Sequence, residues 1–282
     1  MASTQKSGLQ FSINNIQDYI MNKGLLGAIR NRIAMRKQRK EAEEISFHFS
    51  QFLTPVIANS DFKQDLSSKL RHDVYCEELQ YEDCREDGLE SDEFDAYSKH
   101  ALIQHIKSRT YAGTVRVISP ESDKQLLPIE KHCLDSILDH EYLPSNFPRE
   151  DICEISRLAV PSAFRRRASD KFVGAATGTI NEFIDSDKEL RCFPFIAVGL
   201  YFSAAALCLK LGKKHAYMMM EPKLAKSMSY VGIKFEQIGP VIEYHGQRAP
   251  YYINRDMLFA NLSKEFTFML ENIRKSLYAQ TL

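Results

Sequence analysis

The stretch 194–209 constrains the fold most strongly, because almost all of its side chains are apolar. A helix needs about 20 apolar residues to cross a bilayer, and this stretch is shorter and contains Ser203. It ends at Lys210 and Gly212, and a glycine there is typical of a helix C-terminus. We therefore predict a helix over 195–211 that is buried on all sides. A helix of this kind requires a layered fold that covers it.

The composition excludes several classes of protein. The chain has 282 residues, 44% of them hydrophobic, with 37 basic and 37 acidic side chains. This apolar content disfavours a disordered chain, and the zero net charge disfavours nucleic acid as a partner. The six cysteines form no Cys-x-x-Cys pair, so we expect free thiols and no metal site. Residues 1–10 are polar and resemble no secretory signal, and the expected free thiols indicate a reducing, cytoplasmic compartment.

The charge pattern divides the chain into three parts. Residues 1–45 form a predicted helical extension, which is basic between Arg30 and Lys40. This extension is either a solvated surface helix or a docking element for an acidic protein or the inner membrane, which it would contact peripherally. Residues 46–260 are predicted to form the main domain, and residues 261–282 a C-terminal amphipathic helix packed on it.

Hydrophobic periodicity predicts a mixed α/β (α+β) domain, with a central sheet flanked by helices on both faces. The first strand is predicted from the alternation of Phe47, Phe49 and Leu53. The further predicted strands cover 100–107, 111–119, 151–160, 214–220, 234–240 and 250–258. The predicted helices cover 61–79, 129–140, 169–185, 195–211, 222–231 and 262–277.

Charged residues interrupt two of the apolar strands. Arg116 lies in the middle of one strand, and Glu154 and Arg157 lie in another. A buried charge is costly unless it is paired or faces a wet cleft, so a structural ion-pair network and a functional pocket both fit. In a regular strand Glu154 and Arg157 would point to opposite faces, so they share one pocket only if a β-bulge lies between them.

Two charged loops are further candidates for a site. The carboxylates Glu90, Asp92 and Asp95 lie in an acidic loop, which is either solvated surface or part of the pocket. The basic residues Arg165, Arg166 and Arg167 follow a strand, where arginines bind either a phosphate or an acidic partner protein. No glycine-rich phosphate loop accompanies them.

Four motifs in order resemble the acyl-homoserine-lactone (autoinducer) synthases: LRHDVYCEEL, ESDEFD, GTVRV and EISRLAV. The resemblance covers residues 70–160 and places nine residues on positions that this family shares. These are Arg71, Tyr75, Tyr81, Glu90, Asp92, Asp95, Arg116, Glu154 and Arg157. Tyr81 stands where these synthases carry a tryptophan, and this chain has no tryptophan.

A second resemblance spans residues 46–260. The segments RLAVPSAFRRR, PFIAVGLYFSAAAL, MEPKLAKSMSYVGIKFEQIGP and YHGQRAPYYI are similar to acyltransferases of PEP-CTERM/exosortase systems, which in turn resemble N-acyl amino acid synthases. Both resemblances imply a GNAT-like acyl-CoA N-acyltransferase fold. They also imply an acyl carrier protein as donor, with the acyl chain on phosphopantetheine, a free amine as acceptor, and no permanently bound cofactor.

These resemblances imply an N-acyltransferase that moves a long fatty acyl chain from acyl carrier protein to an amino acid. Proton removal from the amine needs a base, for which Glu154 is the first choice and Glu90 the second. Backbone N–H groups after Arg157 would stabilise the oxyanion. Arg71 and Arg116 would pair with the acidic loop, or one of them would bind the carboxylate of the substrate.

The remaining roles and two other functions stay open. Arg165, Arg166 and Arg167 would bind phosphopantetheine or the carrier protein. Four aromatic residues line an acyl tunnel or simply pack in the core: Phe193, Phe195, Tyr201 and Phe202. The alternative functions are an acyl-homoserine-lactone synthase that uses S-adenosylmethionine, and a non-catalytic binding module with the same fold.

Overall fold

The computed structural model describes residue 47 and residues 49–165 and 195–282. The predicted basic extension and the predicted helix 169–185 lie outside the described residues, and the predicted domain boundaries stay predictions. Within the described residues, the helices are too short or too polar to cross a membrane.

Eight strands form the sheet, in the spatial order β1-β2-β3-β4-β5-β8-β6, with β7 paired to β8. They are β1 Leu53–Ile57, β2 Ser98–His105, β3 Tyr111–Ile118, β4 Ile152–Ala159, β5 His215–Met220, β6 Glu236–Gln237, β7 Ile242–Glu243 and β8 Gln247–Asn254. All neighbours run antiparallel except β4 and β5, which are parallel. The predicted mixed sheet is therefore confirmed.

The described helices lie between and after these strands. They are α1 Asp61–His72, α2 Pro128–His132, α3 Ser162–Arg165, α4 Ile196–Lys210, α5 Pro222–Tyr230, α6 Arg255–Asn261 and α7 Lys264–Tyr278. A π-helical turn, Asp73–Glu78, continues α1. A 3-10 turn, Glu93–Tyr97, closes the acidic loop. Between β3 and β4 the chain is largely irregular, with α2 shorter than the predicted helix 129–140.

Helices α1 and α4 cover opposite faces of the sheet. A Cβ on Gly113 would lie 2.9 Å from the side chain of Leu200 in α4. The next residue, Thr114, hydrogen-bonds Ser67 of α1 through its hydroxyl at 2.7 Å. Because successive strand residues point to opposite faces, the two helices sandwich β3. Eleven of the fifteen residues of α4 are buried and the other four are half-buried, as the apolar stretch predicts.

Two predictions of local structure are wrong. Residues 49–52 are helical, and the strand begins only at Leu53. Phe49 packs on α4 while Phe47 is 57% exposed, so the alternation of these aromatics did not reflect a strand. The predicted strand 250–258 ends at Asn254, whose side chain accepts a hydrogen bond from the N–H of Met257 and caps α6.

Strands β4 and β5 separate along their length. They pair only from Ile152 to Glu154, which lie opposite His215 to Tyr217. Beyond this point the backbone groups of both strands face a gap rather than each other, so a cleft opens in the sheet. A linear group with amide donors and acceptors can occupy such a gap by pairing with the free strand edges.

Gly199 sets how closely α4 approaches the chain before β1. A Cβ at this position would lie 2.5 Å from the ring of Phe49. We expect Gly199→Ala to lower the free energy of unfolding by about 1–3 kcal/mol, as overpacking does. Phe49→Leu should relieve part of this clash, so the double variant should lose less stability than the sum of the two single variants. Urea denaturation of all four proteins measures this coupling, and additive losses would contradict the contact.

Candidate active site

Arg71 anchors the acidic loop against α1. Its guanidinium donates to Asp95 through two nitrogens, at 2.6 and 3.0 Å, and its Nε donates to Glu90. Arg71 is fully buried, and a buried guanidinium is stable only when carboxylates surround it. The predicted pairing of Arg71 with the acidic loop is therefore present.

Two further arginines complete the cluster from the sheet side. Arg116 donates to Asp92 at 2.6 Å and to Asp95 at 3.0 Å. Arg157 donates to Glu90 at 3.1 Å and to Glu82 at 2.8 Å. We refer to the six residues that join α1, the acidic loop, β3 and β4 as the arginine–carboxylate network. They are Arg71, Glu90, Asp92, Asp95, Arg116 and Arg157.

The network keeps its aspartates ionised. Burial alone would raise the pKa of Asp95, but hydrogen bonds from His100 and Arg71 and the nearby arginine charges hold that pKa well below its usual range. Burial acts in the same direction on Asp92, and the hydrogen bond and charge of Arg116 again lower its pKa. Both carboxylates therefore act as fixed negative charges at neutral pH.

A β-bulge brings Glu154 and Arg157 to one cavity. Thr114 pairs with Ala159 and Arg116 pairs with Ser156, so three steps along β4 oppose two along β3. Arg157 has a φ of 49°, in the left-handed region. The bulge turns the side chains of Glu154 and Arg157 to the same side. The β-bulge that Glu154 and Arg157 need in order to share one pocket is therefore present.

Glu154 lies in a different environment from the network. Its side chain is buried, and its Oε2 accepts a hydrogen bond from the N–H of Ile129 at 2.8 Å. Burial raises the pKa of Glu154 to about 8, although the Ile129 N–H and the charge of Arg116 oppose the rise. At neutral pH this carboxyl group is mostly protonated, and it can exchange a proton near physiological pH.

Glu90, the second-choice base, is held by two arginines. It receives Nε–H bonds from both Arg71 and Arg157. The lining of the cavity that contains Glu154 does not include Glu90. A carboxylate that must give up two cationic partners to accept a proton is a poor base, so the geometry favours a structural role for Glu90.

Two cavities meet beside the bulge. The first, of about 290 Å³, contains Glu154 and is called the polar cavity. The second, of about 510 Å³, lies at the gap between β4 and β5 and is called the cleft. The two cavities share six lining residues: Tyr75, Tyr81, Ser156, Arg157, Met219 and Arg248.

The two predicted tyrosines lie at this junction. The hydroxyl of Tyr75 donates to the carbonyl of Leu158 at 2.8 Å, and its ring lies 5.5 Å from the guanidinium of Arg157. Tyr81 lies 5.9 Å from the guanidinium of Arg248. Tyr75 thus supports the bulged backbone, while Tyr81 forms part of the wall.

The β7–β8 hairpin is a part of the site that was not predicted from the sequence. Its turn places Tyr244, His245 and Arg248 on the polar cavity. His245 and Gly246 both have positive φ, at 49° and 93°, which is typical of a tight hairpin turn. The His-Gly pair in the sequence was the signal that could have identified this turn.

The predicted acyl-tunnel residues separate into two groups. Tyr201 lines the cleft and also a small apolar cavity of about 50 Å³ beyond it. Phe195 and Phe202 instead pack on Phe266 of α7, with ring centroids 6.4 and 6.3 Å away. Phe202 is fully buried, and neither residue lines the cleft. This packing favours the core alternative for these two residues, and their role in an acyl tunnel stays a prediction. Phe193 lies outside the described residues.

The predicted phosphopantetheine or carrier-protein site is only partly described. Arg165 lines the cleft and forms an ion pair with Glu78. Arg166 and Arg167 lie outside the described residues. The assignment of these arginines to the carrier protein stays a prediction.

Asp95 should carry much of the stability of the network. We expect Asp95→Asn to lower the free energy of unfolding by about 3–5 kcal/mol at pH 7, because it leaves two buried arginines without their shared carboxylate. The folded-state pKa of Asp95 lies below its unfolded value. The contribution of ionised Asp95 to the free energy of unfolding is therefore fully present above about pH 4, and it decreases progressively as the pH falls further. Urea denaturation at pH 7 and pH 3 should show a larger difference between wild type and variant at pH 7.

The matched control is Glu93, which lies in the same loop and pairs with Lys131 on the surface. An exposed ion pair contributes about 0–1 kcal/mol, so Glu93→Gln should change the stability little. Equal losses in the two variants would contradict the assignment of the buried network.

Comparison with known proteins supports the fold. Residues 70–174 match the family model described as an acetyltransferase (GNAT) domain. None of the curated proteins matches the chain significantly.

Two solved structures, those of BjaI and TofI, share the architecture. BjaI, described as a CoA-dependent acyl-homoserine lactone synthase and solved with MTA, aligns with a TM-score of 0.51 and 17% identity, over 79% of this chain and 89% of that one. TofI, in a ternary complex with an inhibitor and MTA, gives a TM-score of 0.51 and 13% identity, over 76% and 99%. FeeM, an N-acyl amino acid synthase from uncultured soil microbes, aligns with a TM-score of 0.49 and 12% identity, over 74% of this chain and 94% of that one. The chain thus has a GNAT-like fold, and its GNAT domain match supports an acyltransferase.

Proposed function

We propose that this protein is an N-acyltransferase that moves a long fatty acyl chain from acyl carrier protein to the amine of an amino acid. The observation that carries the proposal is the junction of the two cavities. A proton-exchanging carboxyl group, Glu154, lies in the polar cavity, which meets the cleft at Ser156 and Arg157. The junction is where an amine in one cavity would reach a thioester in the other.

The cleft suits the acyl donor. Its walls include the separated edges of β4 and β5, whose backbone groups can bind the amides of a pantetheine arm. Its lining also includes Met218, Met219 and Met220, whose flexible side chains adapt to an acyl chain. The carrier protein as donor and the association with PEP-CTERM/exosortase systems are parts of this proposal that rest on the sequence resemblance.

The reaction uses Glu154 as a proton carrier. In its ionised form Glu154 accepts a proton from the ammonium of the acceptor, directly or through a water molecule. The neutral amine attacks the thioester carbon, so that a C–N bond forms and the C–S bond breaks. The attacking nitrogen loses a second proton as the tetrahedral intermediate collapses. Of the two protons released from nitrogen, one is returned by Glu154 to the departing thiolate and the other passes to solvent. The N–H of Leu158, where the strands separate, is the proposed donor to the oxyanion.

Two other functions remain as alternatives. An acyl-homoserine-lactone synthase is favoured by the shared fold with BjaI, and it would form a lactone from S-adenosylmethionine. A non-catalytic module would use the cleft only to bind an acylated carrier. The cavity that holds Glu154 favours catalysis, because binding alone does not need a group with a shifted pKa.

Product analysis distinguishes these functions. Cells that express the protein should accumulate N-acyl amino acids, detectable by mass spectrometry of lipid extracts. The purified protein with a long-chain acyl carrier protein and a mixture of amino acids should form the same products. A lactone that requires S-adenosylmethionine would support the synthase instead. Folded protein without any acylated product would support the binding module.

Removal of the carboxyl group should strongly reduce turnover but preserve donor binding. We expect Glu154→Gln to lower kcat/KM by about 10²–10⁴-fold, as loss of a general base does. The amide oxygen can still accept the N–H of Ile129, so the fold should remain intact. In the wild type kcat/KM should rise with pH up to about 8, where Glu154 becomes ionised. The residual activity of the variant should lack this rise, and an unchanged rate would transfer the role of base to another group.

Tyr201 should limit the length of the acyl chain. It stands between the cleft and the apolar cavity beyond it, so Tyr201→Ala should join the two spaces. Each additional buried CH₂ is worth about 0.8 kcal/mol, or roughly fourfold in kcat/KM. We therefore expect the variant to prefer longer chains, measured with a series of acyl donors.

The neighbouring Phe202 provides the control. Phe202→Leu changes the contact with Phe266 in the core and should lower stability without a change in chain preference. The same shift in both variants would show that general loosening, rather than removal of the barrier, changes the specificity.

A further inference from the structure

The three network arginines are already paired with carboxylates of the chain itself. Arg71 already holds Glu90 and Asp95, and Arg116 holds Asp92 and Asp95. Arg157 holds Glu90 and Glu82. A substrate carboxylate at any of them would compete with these carboxylates of the chain, and displacing one of them costs the free energy of that ion pair. The sequence-based hypothesis that Arg71 or Arg116 binds the substrate is therefore disfavoured.

Arg248 differs from these arginines. It lines both the polar cavity and the cleft. Its Nε donates to the carbonyl of His245 at 3.2 Å, and its guanidinium lies 5.9 Å from the ring centroid of Tyr81. Within residues 49–165 and 195–282 no carboxylate forms an ion pair with it. Among these residues its two terminal nitrogens have no hydrogen-bond partner, so they can bind a ligand.

We propose that Arg248 binds the carboxylate of the amino acid acceptor and so determines that the acceptor is an amino acid rather than a simple amine. This inference rests on the proposed function and assigns the group that recognises the acceptor. The planar guanidinium offers two parallel N–H donors that match a carboxylate. Arg248 and Glu154 line the same polar cavity, so a carboxylate bound at one would bring the α-amine of the same molecule towards the other.

The hairpin prepares Arg248 for this role. The N–H of Tyr244 donates to the carbonyl of Gly246 at 2.9 Å and closes the turn. The turn carbonyl of His245 fixes the Nε of Arg248, and Tyr81 supports the guanidinium from the side. A side chain held at both points loses less conformational entropy when a ligand binds.

A phosphate is the other anion that could reach this guanidinium, through the phosphopantetheine of the donor. The two sources make different predictions. If Arg248 recognises the acceptor, its replacement weakens binding of a carboxylate and leaves the donor unaffected. If it recognises the donor, its replacement removes a preference for phosphorylated pantetheine.

Binding of a product analogue tests the proposal without a need for turnover. The probes are N-dodecanoylglycine and its primary amide, titrated by calorimetry into the full-length protein. We expect the wild type to bind the acid at least about tenfold more tightly than the amide. Arg248→Gln should reduce this ratio below about threefold by weakening the acid alone, and Arg248→Lys should restore part of it. Arg274→Gln, on the exposed surface of α7, is the matched control and should keep the wild-type ratio.

Several results would overturn the proposal. They are equal affinity of the wild type for acid and amide, no binding of either probe, or an undiminished ratio in Arg248→Gln. Dodecanoyl-pantetheine and its 4′-phosphate form the second pair of probes. Arg248→Gln could remove the preference for the phosphorylated over the unphosphorylated pantetheine and leave the preference for acid over amide unchanged. In that case the guanidinium binds the donor, and the proposal fails.

Kinetics separate this proposal from the proposed function. If the wild type forms N-acyl amino acids, Arg248→Gln should raise the KM for the amino acid at least tenfold and leave the KM for the acyl donor unchanged. Product formation with an unchanged acceptor KM would reject Arg248 and retain the function. The wild type could also prefer the acid over the amide through Arg248 and yet form no acylated product. That result would support the carboxylate site and contradict the proposed function.

Discussion

The carboxylate of Asp95, shared by two buried arginines, is the interaction on which the site depends. Its Oδ1 accepts hydrogen bonds from Arg71 at 2.6 Å and from Arg116 at 3.0 Å, so one atom joins helix α1 to strand β3. Charges buried this deeply are tolerated only in a satisfied network. The acidic loop is consequently fixed against the central strands β3 and β4, where it forms a wall of the polar cavity.

This constraint divides the arginines of the site into two kinds. The first kind neutralises carboxylates of the chain itself and so stabilises the fold. It comprises Arg71, Arg116 and Arg157. Arg248 arrives from a separate hairpin and stays without such a partner among the described residues. A site that recognises an anion needs a cation that is not already paired with a carboxylate, because a neutralised ion pair attracts a further anion only weakly.

The sequence predicted the network better than the ligand-binding residues. An arginine in the middle of an apolar strand indicates either a carboxylate partner or a wet cleft. The family resemblance then identified the acidic loop as the partner of Arg116. The role of Arg248 depends on a contact between distant segments, which a local pattern does not contain. Helix α4 is apolar on every side, so periodicity could not tell that Tyr201 faces the cleft while Phe202 faces α7.

The bulge at Arg157 connects the network to the chemistry. It places a carboxyl group whose pKa is raised to about 8 by burial beside aspartates whose pKa values are lowered by arginines. Environments that push the pKa values of neighbouring acids apart give them separate tasks. Asp92 and Asp95 keep their charge and hold the wall, whereas Glu154 can gain or lose a proton near neutral pH. A regular strand would turn Glu154 and Arg157 to opposite faces, and this division of tasks would be lost.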